Sequence, residues 1–309
     1  MTELGDGAAT LAASSRPLAG LRVAVTRSVD RAGALISALQ DAGADPVLVP
    51  LIDFEMSDNA LLSAALRRLA AGEYRWLVIS SITTVRALKQ WCESAGTTLV
   101  DVIPSSTAVA TIGPTSVAVL AAEGIHALLA PVDVQSAAGL VALWPDFSPA
   151  DGGSNKVLLP QSNIAEPTLV NGLAAKGWTP EVVTAYKTVN YPAHDGLRLT
   201  ASLELRAGGQ SQELQEILTP AQAAGEIRAG AIHAVVLASG SAARRTAETM
   251  APLPENCLLI AIGEPTRAEA ERLGMNVAAT AEHPTPEGIV AALTQAHTIF
   301  HTLDSQEPS

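Results

Sequence analysis

The chain has 309 residues, 31 Asp+Glu against 19 Lys+Arg, and a formal net charge of −12. That balance excludes a protein that works by a non-specific grip on nucleic acid or on an anionic membrane, since both need a basic surface. Hydrophobic residues make up 48% and charged residues 16%, so a substantial core is available, and the length points to two domains rather than one.

Arg22–Arg27 reads as a buried strand and Asp30–Asp41 as a helix closed by Gly43. The strand Pro46–Phe54 follows, then a helix over Asp58–Ala71 and the strand Trp76–Ile79. A helix over Thr83–Ser94 precedes the strand Ala108–Ile112, and a helix over Thr115–Glu123 ends at Gly124 before the strand His126–Ala130. Strands too apolar for two-residue alternation, joined by helices, predict parallel sheet covered on both faces.

The order then repeats, roughly 150 residues on. Lys156–Leu159 answers the first strand, and a helix ending at Gly177 answers the one ending at Gly43. Val182–Val189 answers Pro46–Phe54, and Ala234–Leu237 with Ser239 answers Trp76–Ile79 with Ser81. Leu258–Gly263 answers Ala108–Gly113, and Gly288–Leu293 answers Gly139–Leu143. The seam falls at Ser148–Ser154, a loop by composition. Ala193–Gln212 has no counterpart and is expected to be a surface insertion, with Leu197–Leu205 able to form a hairpin. Residues 1–17 and 299–309 are expected to be solvated tails.

Other features narrow the function. No stretch reaches the roughly 18–20 apolar residues of a membrane helix. Met1–Arg16 carries Glu3 and Asp6 and lacks the basic start of a secretory signal, so a cytoplasmic location is expected. Cys92 and Cys257 stand outside any CxxC and are expected to be buried thiols. Aromatics at 3% argue against stacking platforms for bases. His297 and His301 have an i,i+4 spacing but lack a third ligand, so no metal site is expected. Phosphate-loop, dinucleotide and GxSxG signatures are missing.

In open parallel sheets ligands sit beyond the carboxyl ends of the strands. That rule selects Thr26-Arg27-Ser28, Ser80–Thr84, Gly113–Ser116, Gln161-Ser162-Asn163, Ser239-Gly240-Ser241 and Gly263–Thr266. These loops are rich in hydroxyls and poor in charge. Each hydroxyl alone is explained as a helix N-cap; six such loops in matching places of both copies suggest a cleft of hydroxyls and backbone N–H groups.

The segments Leu21–Arg27, Leu77–Val85, Ala110–Ser116, Val183–Thr188, Ile260–Thr266 and Pro284–Gly288 resemble, in order and spacing, those of the uroporphyrinogen-III synthase family over about Leu18–Thr298. The resemblance implies two doubly wound α/β domains with an exchanged first βα unit, joined by two extended connector strands. Residues 18–50 with 190–298 would form one domain and 51–189 the other, with the cleft between them. It implies the reaction as well: closure of hydroxymethylbilane to uroporphyrinogen III with inversion of ring D and loss of water. A small-molecule substrate, no cofactor, no nucleic acid, no membrane and a monomer, with transient contact to the preceding enzyme, go with that expectation.

Carried over residue by residue, the resemblance makes Tyr186 and Thr266 the catalytic candidates. Arg27, Ser81, Thr83, Ser116, Ser162, Asn163, Ser239, Gly240, Ser241 and Gly263 become the substrate-binding candidates. Where many relatives have a glycine and a later arginine, this chain has Ser162 and Ala165-Glu166-Pro167. The substrate has eight carboxylates and the protein is acidic, so helix N-termini must supply much of the attraction, at about 0.3–1 kcal/mol each. Arg27 would add a charge-assisted contact or else serve a structural ion pair. Tyr186 would hydrogen-bond the departing hydroxyl or else pack as a strand residue. Positioning rather than acid strength should dominate the chemistry. A second reading is a non-catalytic protein that senses a tetrapyrrole or a small anion on the same two-lobed fold.

Overall fold

The computed structural model describes residues 16–57, 59–201, 203 and 215–304, with side chains left undescribed at 30, 59, 151, 301, 303 and 304. The described residues of 1–53, 190–192 and 211–309 form one compact unit, and those of 54–189 and 193–210 form a second.

The first unit holds the sheet β10-β9-β8-β1-β2, with β1 (Arg22–Val25), β2 (Asp45–Leu48), β8 (Ala234–Leu237), β9 (Leu258–Ala261) and β10 (Ala279–Thr280), every pairing parallel. Successive strand residues point to opposite faces. Val23, Val25, Ala234, Val236, Leu258 and Ile260 meet α1 (Val29–Asp41) through Leu35 and Leu39, and α11 (Pro286–Asp304) through Ile289 and Leu293. The alternate set, Ala24, Val235, Leu237, Leu259 and Ala261, meets α8 (Pro220–Arg228), α9 (Gly240–Thr249) and α10 (Glu264–Arg272) through Ile227, Ala243 and Ala270. Both faces are covered, which is why these strands read as continuous apolar runs.

The second unit holds the sheet β3-β7-β6-β4-β5, with β3 (Ile52–Met56), β4 (Trp76–Ile79), β5 (Ala108–Thr111), β6 (Lys156–Ser162) and β7 (Thr179–Asn190). Strands β7, β6, β4 and β5 are mutually parallel, and Leu129 adds a parallel bridge beyond β5 at Ala110. On one face Leu77, Ile79, Val109 and Leu158 meet Leu66, Leu88 and Val102 of α2 (Asn59–Ala70), α3 (Ile82–Ala95) and α4 (Leu99–Val102), with Val119 of α5 (Pro114–Ala122). On the other face Trp76, Val78, Val157 and Leu159 meet Leu140 of α6 (Ala137–Leu143) and Leu173 of α7 (Thr168–Ala175). Trp144 packs at 4.7 Å from Trp76 and 6.4 Å from Trp178, so three of the four tryptophans stiffen this layer.

The exchange is visible in these pairings. Numbered by role, both sheets run 2-1-3-4-5: β2-β1-β8-β9-β10 in the first, and β7-β6-β4-β5 with the Leu129 bridge in the second. Each sheet takes its first two strands from one half of the chain and the rest from the other.

Several expectations are corrected. Pro46–Phe54 is two strands, β2 and β3, because one pairs with β1 and the other with β7, and Pro50 between them has no N–H to donate. His126–Ala130 is only the bridge at Leu129; its copy, β10, has just two residues, both segments lying at a sheet edge with nothing further to pair. The seam contains a 3-10 turn at Pro149–Asp151. Helix α8 lies where no element is expected, and α11 continues through Asp304, past the expected tail boundary. The expected surface insertion is anchored along its first residues: Arg198 bridges antiparallel to Glu55, and Leu199 is 3% exposed within the core. Arg86 donates to the carbonyls of Leu199 and Ala201 at 2.9 Å, and Gln90 Oε1 accepts from the Thr200 and Ala201 amides. This places the described part of 193–210 with the second unit, not with the first as expected. Of the far half of the suggested hairpin, Leu203 packs half-buried against the same core, and residues 202, 204 and 205 fall outside the described residues.

Candidate active site

In a 2-1-3-4-5 sheet the strand order reverses between the first and third strands, and the loops there diverge to leave a crevice. In the first unit this is the β1/β8 junction, and in the second the β6/β4 junction.

At the β1/β8 junction Thr26 Oγ1 donates to the Val236 carbonyl at 2.7 Å and ties the two strands together. Beyond it opens a cavity of about 310 Å³ lined by Arg27, Arg31, Arg245, Ser28, Ser239 and Ser241, with Leu51 and Ile52 supplying apolar wall. Ser239 is the N-cap of α9: its Oγ accepts from the Ala242 amide at 3.1 Å and sits 2.9 Å from Ser241 Oγ. Gly240, the first residue of α9, has Glu269 Cγ at 3.6 Å from where a Cβ would stand, which is ordinary contact. Burial and the nearby Arg31 push the Arg27 guanidinium below its ordinary value. Its Nη1 reaches the Arg31 carbonyl at 3.4 Å, and Arg245 donates to Asn190 Oδ1.

At the β6/β4 junction stand linked polar groups. Ser81 caps α3, its Oγ accepting from the Thr84 amide at 3.1 Å and lying 3.0 Å from Thr84 Oγ1. The same Oγ stands 3.3 Å from the Tyr186 hydroxyl. Tyr186, on β7, is 7% exposed and packs edge-on against Phe54 at 5.6 Å. Ser162 ends β6 at a register shift and meets Thr188 Oγ1 at 3.1 Å. Asn163 accepts from the Thr188 amide at 2.8 Å and donates its own N–H to the Tyr186 carbonyl at 3.2 Å. The pair thus fixes β7 at Tyr186 and Thr188. Thr83 lies half-buried in the first turn of α3.

The remaining candidates sit on the next loops. Ser116 and Thr266 occupy the same place, third in α5 and third in α10, and are 5% and 4% exposed. The N-caps differ. Gly113 has φ 80°, a conformation that favours glycine, whereas Gly263 has φ 178°, extended backbone open to any residue. Salt bridges tie the helices of each copy: Lys89–Glu123 at 2.7 Å from α3 to the end of α5, and Arg244–Glu269 at 2.7 Å from α9 to α10.

The structure therefore brings Arg27, Ser239, Gly240 and Ser241 together in the first unit, with Gly263 and Thr266 on the neighbouring helix start. Ser81, Tyr186, Ser162 and Asn163 are linked in the second. Sequence reading misses Arg31, Arg245 and Thr188, and has Thr84 only as the end of the Ser80–Thr84 loop. Arg31 and Arg245 are on helices and carry no loop signal, while Thr188, two residues past Tyr186, is within reach of a strand-face argument. Both cysteines are buried, and burial pushes their thiols up to about 11. Among the described residues no group of three or more His, Cys, Asp or Glu could hold a metal, and no helix is long and apolar enough to cross a membrane.

The family model of uroporphyrinogen-III synthase HemD matches residues 33–291, a span holding every candidate residue except Arg27. A mutant uroporphyrinogen III synthase of the extremely thermophilic bacterium Thermus thermophilus is 16% identical, covering 90% of this chain and 99% of its own, with a TM-score of 0.54. The uroporphyrinogen-III synthetase of Helicobacter pylori is 10% identical over 89% of this chain and 99% of its own, with a TM-score of 0.49. The Thermus likeness bears on the fold alone. No curated protein matches the chain. With the family match running over most of its length, the chain belongs to the uroporphyrinogen-III synthase family, a family of cyclising lyases of tetrapyrrole biosynthesis.

Proposed function

We propose that this chain carries out its family's reaction on hydroxymethylbilane, and that Tyr186 and Thr266 are its catalytic side chains. The observation that carries this reading is the Tyr186 hydroxyl, held at the strand-order reversal of its sheet beside Ser81 Oγ at 3.3 Å. A phenol there donates a hydrogen bond to a departing hydroxyl while Ser81 fixes its direction. Thr266 offers a second hydroxyl at a helix start, where free backbone N–H groups favour negative charge. Departure of the hydroxyl is driven by the neighbouring pyrrole nitrogen of the substrate. The protein's task is to present the substituted carbon of ring D to the attacking end, a matter of orientation.

Arg27, Ser81, Thr83, Ser116, Ser239, Gly240, Ser241 and Gly263 form the substrate-binding set, with backbone N–H groups at helix starts and hydroxyls taking the carboxylates. Micromolar affinity corresponds to about 8 kcal/mol, within reach of several such contacts and one or more guanidiniums. Ser162 and Asn163 serve by holding β7. The protein acts as a cytoplasmic monomer, meeting the enzyme that supplies its labile substrate only transiently; sedimentation of the pure protein as a stable dimer contradicts that part.

The test is an isomer-resolved assay with freshly generated hydroxymethylbilane. Type III product well above the spontaneous type I background is the expected result. Tight binding of the linear tetrapyrrole with no turnover would overturn it.

A further inference from the structure

The chain has twelve more acidic than basic residues, yet three guanidiniums converge on one cavity in the first unit. Nothing in the cavity lining is acidic, and none of Arg27, Arg31 and Arg245 has a carboxylate partner among the described residues. Four other arginines of this unit are paired with carboxylates. Arg22 pairs with Glu216 at 2.9 Å and Glu226 at 3.3 Å, Arg267 with Glu271 at 2.8 Å, and Arg272 with Glu269 at 2.8 Å. The contrast is sharpest on α9, where Arg244 pairs with Glu269 at 2.7 Å while its neighbour Arg245 turns to the cavity. Like charges gathered without a counter-ion repel one another, an arrangement that is stabilised when an anion occupies the space between them.

We propose that Arg31 and Arg245, with Arg27, make this cavity the receptor for the paired carboxylates of one pyrrole ring. This rests on the reading of the substrate as a four-ring octacarboxylate with two acids to a ring. Two carboxylates meet three guanidiniums, whose forked donors suit carboxylate geometry, and Ser28, Ser239 and Ser241 offer hydroxyls to the remaining lone pairs. Leu51 and Ile52 give the ring an apolar wall. At about 310 Å³ the space is at the small end of ligand pockets, suited to a single substituted ring and not to the whole chain of four. Arg27 loses charge stabilisation through burial and through Arg31, the situation a bound dianion relieves. Arg31 and Arg245 are thus specificity-determining residues that decide how firmly one ring is held while the two ends of the substrate are joined.

The test uses the full-length protein with Arg31→Gln, Arg245→Gln and the double variant, assayed with hydroxymethylbilane at 50 and 300 mM NaCl. The double variant should raise KM about tenfold or more, equivalent to about 1.4 kcal/mol. Its kcat should stay within about twofold, and the salt dependence of KM should flatten. Titration with a pyrrole carrying acetate and propionate arms on adjacent carbons should show binding that weakens in the variants and with either acid esterified. Arg31→Lys and Arg245→Lys, which keep the charge, should recover part of the affinity, and unchanged melting temperatures certify the fold. KM and its salt dependence within twofold of wild type overturn the subsite while type III synthesis stands. A wild type that makes no type III product yet binds the dicarboxylate through Arg31 and Arg245 overturns the reaction and keeps the subsite.

Discussion

The two strand-order reversals share a backbone plan and differ in what fills them. Each lies between the first and third strands of a 2-1-3-4-5 parallel sheet, and each has a serine N-cap whose Oγ accepts from the amide three residues on, at 3.1 Å in both copies. In the first unit the crevice is open and ringed with guanidiniums. In the second it is lined by hydroxyls that bond one another, Ser81 to Thr84 and Tyr186, and Ser162 to Thr188. An open cationic crevice suits charge recognition; a linked set of hydroxyls suits the orientation of a phenol. One scaffold thus supports two tasks, and side chains at matched positions assign them.

The largest expected effect tests whether the copies are structurally equivalent. Gly139 and Gly288 hold the same place, each donating its amide to a hydroxyl at 3.1 Å, Ser136 or Thr285. A Cβ on Gly139 would stand 1.8 Å from the Val134 carbonyl oxygen, and one on Gly288 would stand 2.3 Å from that of His283. The obstacle is backbone in both, so Gly139→Ala and Gly288→Ala should each destabilise by about 3 kcal/mol, Gly139→Ala more. Urea denaturation measures both, and a loss under about 0.5 kcal/mol at either site breaks the equivalence.

Next in size is the functional division. Tyr186→Phe and Thr266→Val should each lower kcat by about 10- to 100-fold, or about 1.4–2.7 kcal/mol, without abolishing type III synthesis. Complete inactivity of folded Tyr186→Phe would show that the phenol is an essential proton donor and not a positioned hydrogen-bond partner.

A smaller effect separates the two caps. Ser81→Ala and Ser239→Ala should each cost about 1 kcal/mol of stability, since each removes the side-chain acceptor of a helix-start amide. Only Ser81→Ala should also reduce kcat, because its Oγ alone of the two faces a phenol. Equal kinetic effects would remove that distinction.

The smallest effect is acid-dependent and belongs to the first unit. Hydrogen bonds from Arg272 and then Arg244 hold the Glu269 carboxyl down to about 2. Its folded value lies below the unfolded one, so its contribution is present above the ordinary carboxylate range and is lost as pH falls towards about 2. The melting-temperature gap between wild type and Glu269→Gln should therefore be small at pH 7 and close on acidification. A gap that widens in acid would reverse the assignment.

Much of this was legible in the chain. Trp76–Ile79 and Ala234–Leu237 have the expected bounds, because four apolar residues between turn residues leave little choice. The serine caps and the Gly113 turn announce helix starts through local chemistry alone. Other features depended on partners far away. The break at Pro50 follows from two sheets claiming one segment, and Leu199 is buried because α3 offers Arg86 to its carbonyl and Gln90 to the Ala201 amide. Helix α8, rich in alanine and short, gave only a weak signal until its Ala223 and Ile227 met the sheet.

By itself the sequence determined the alternation of strand and helix, the doubling of one α/β plan and the hydroxyl-bearing loops, because periodicity and turn chemistry act over a few residues. Only the tertiary structure decided which half of the chain completes which sheet, and that Arg31 and Arg245 share one cavity with Arg27. Parallel pairing joins strands distant in sequence, and no local pattern records which ones will meet.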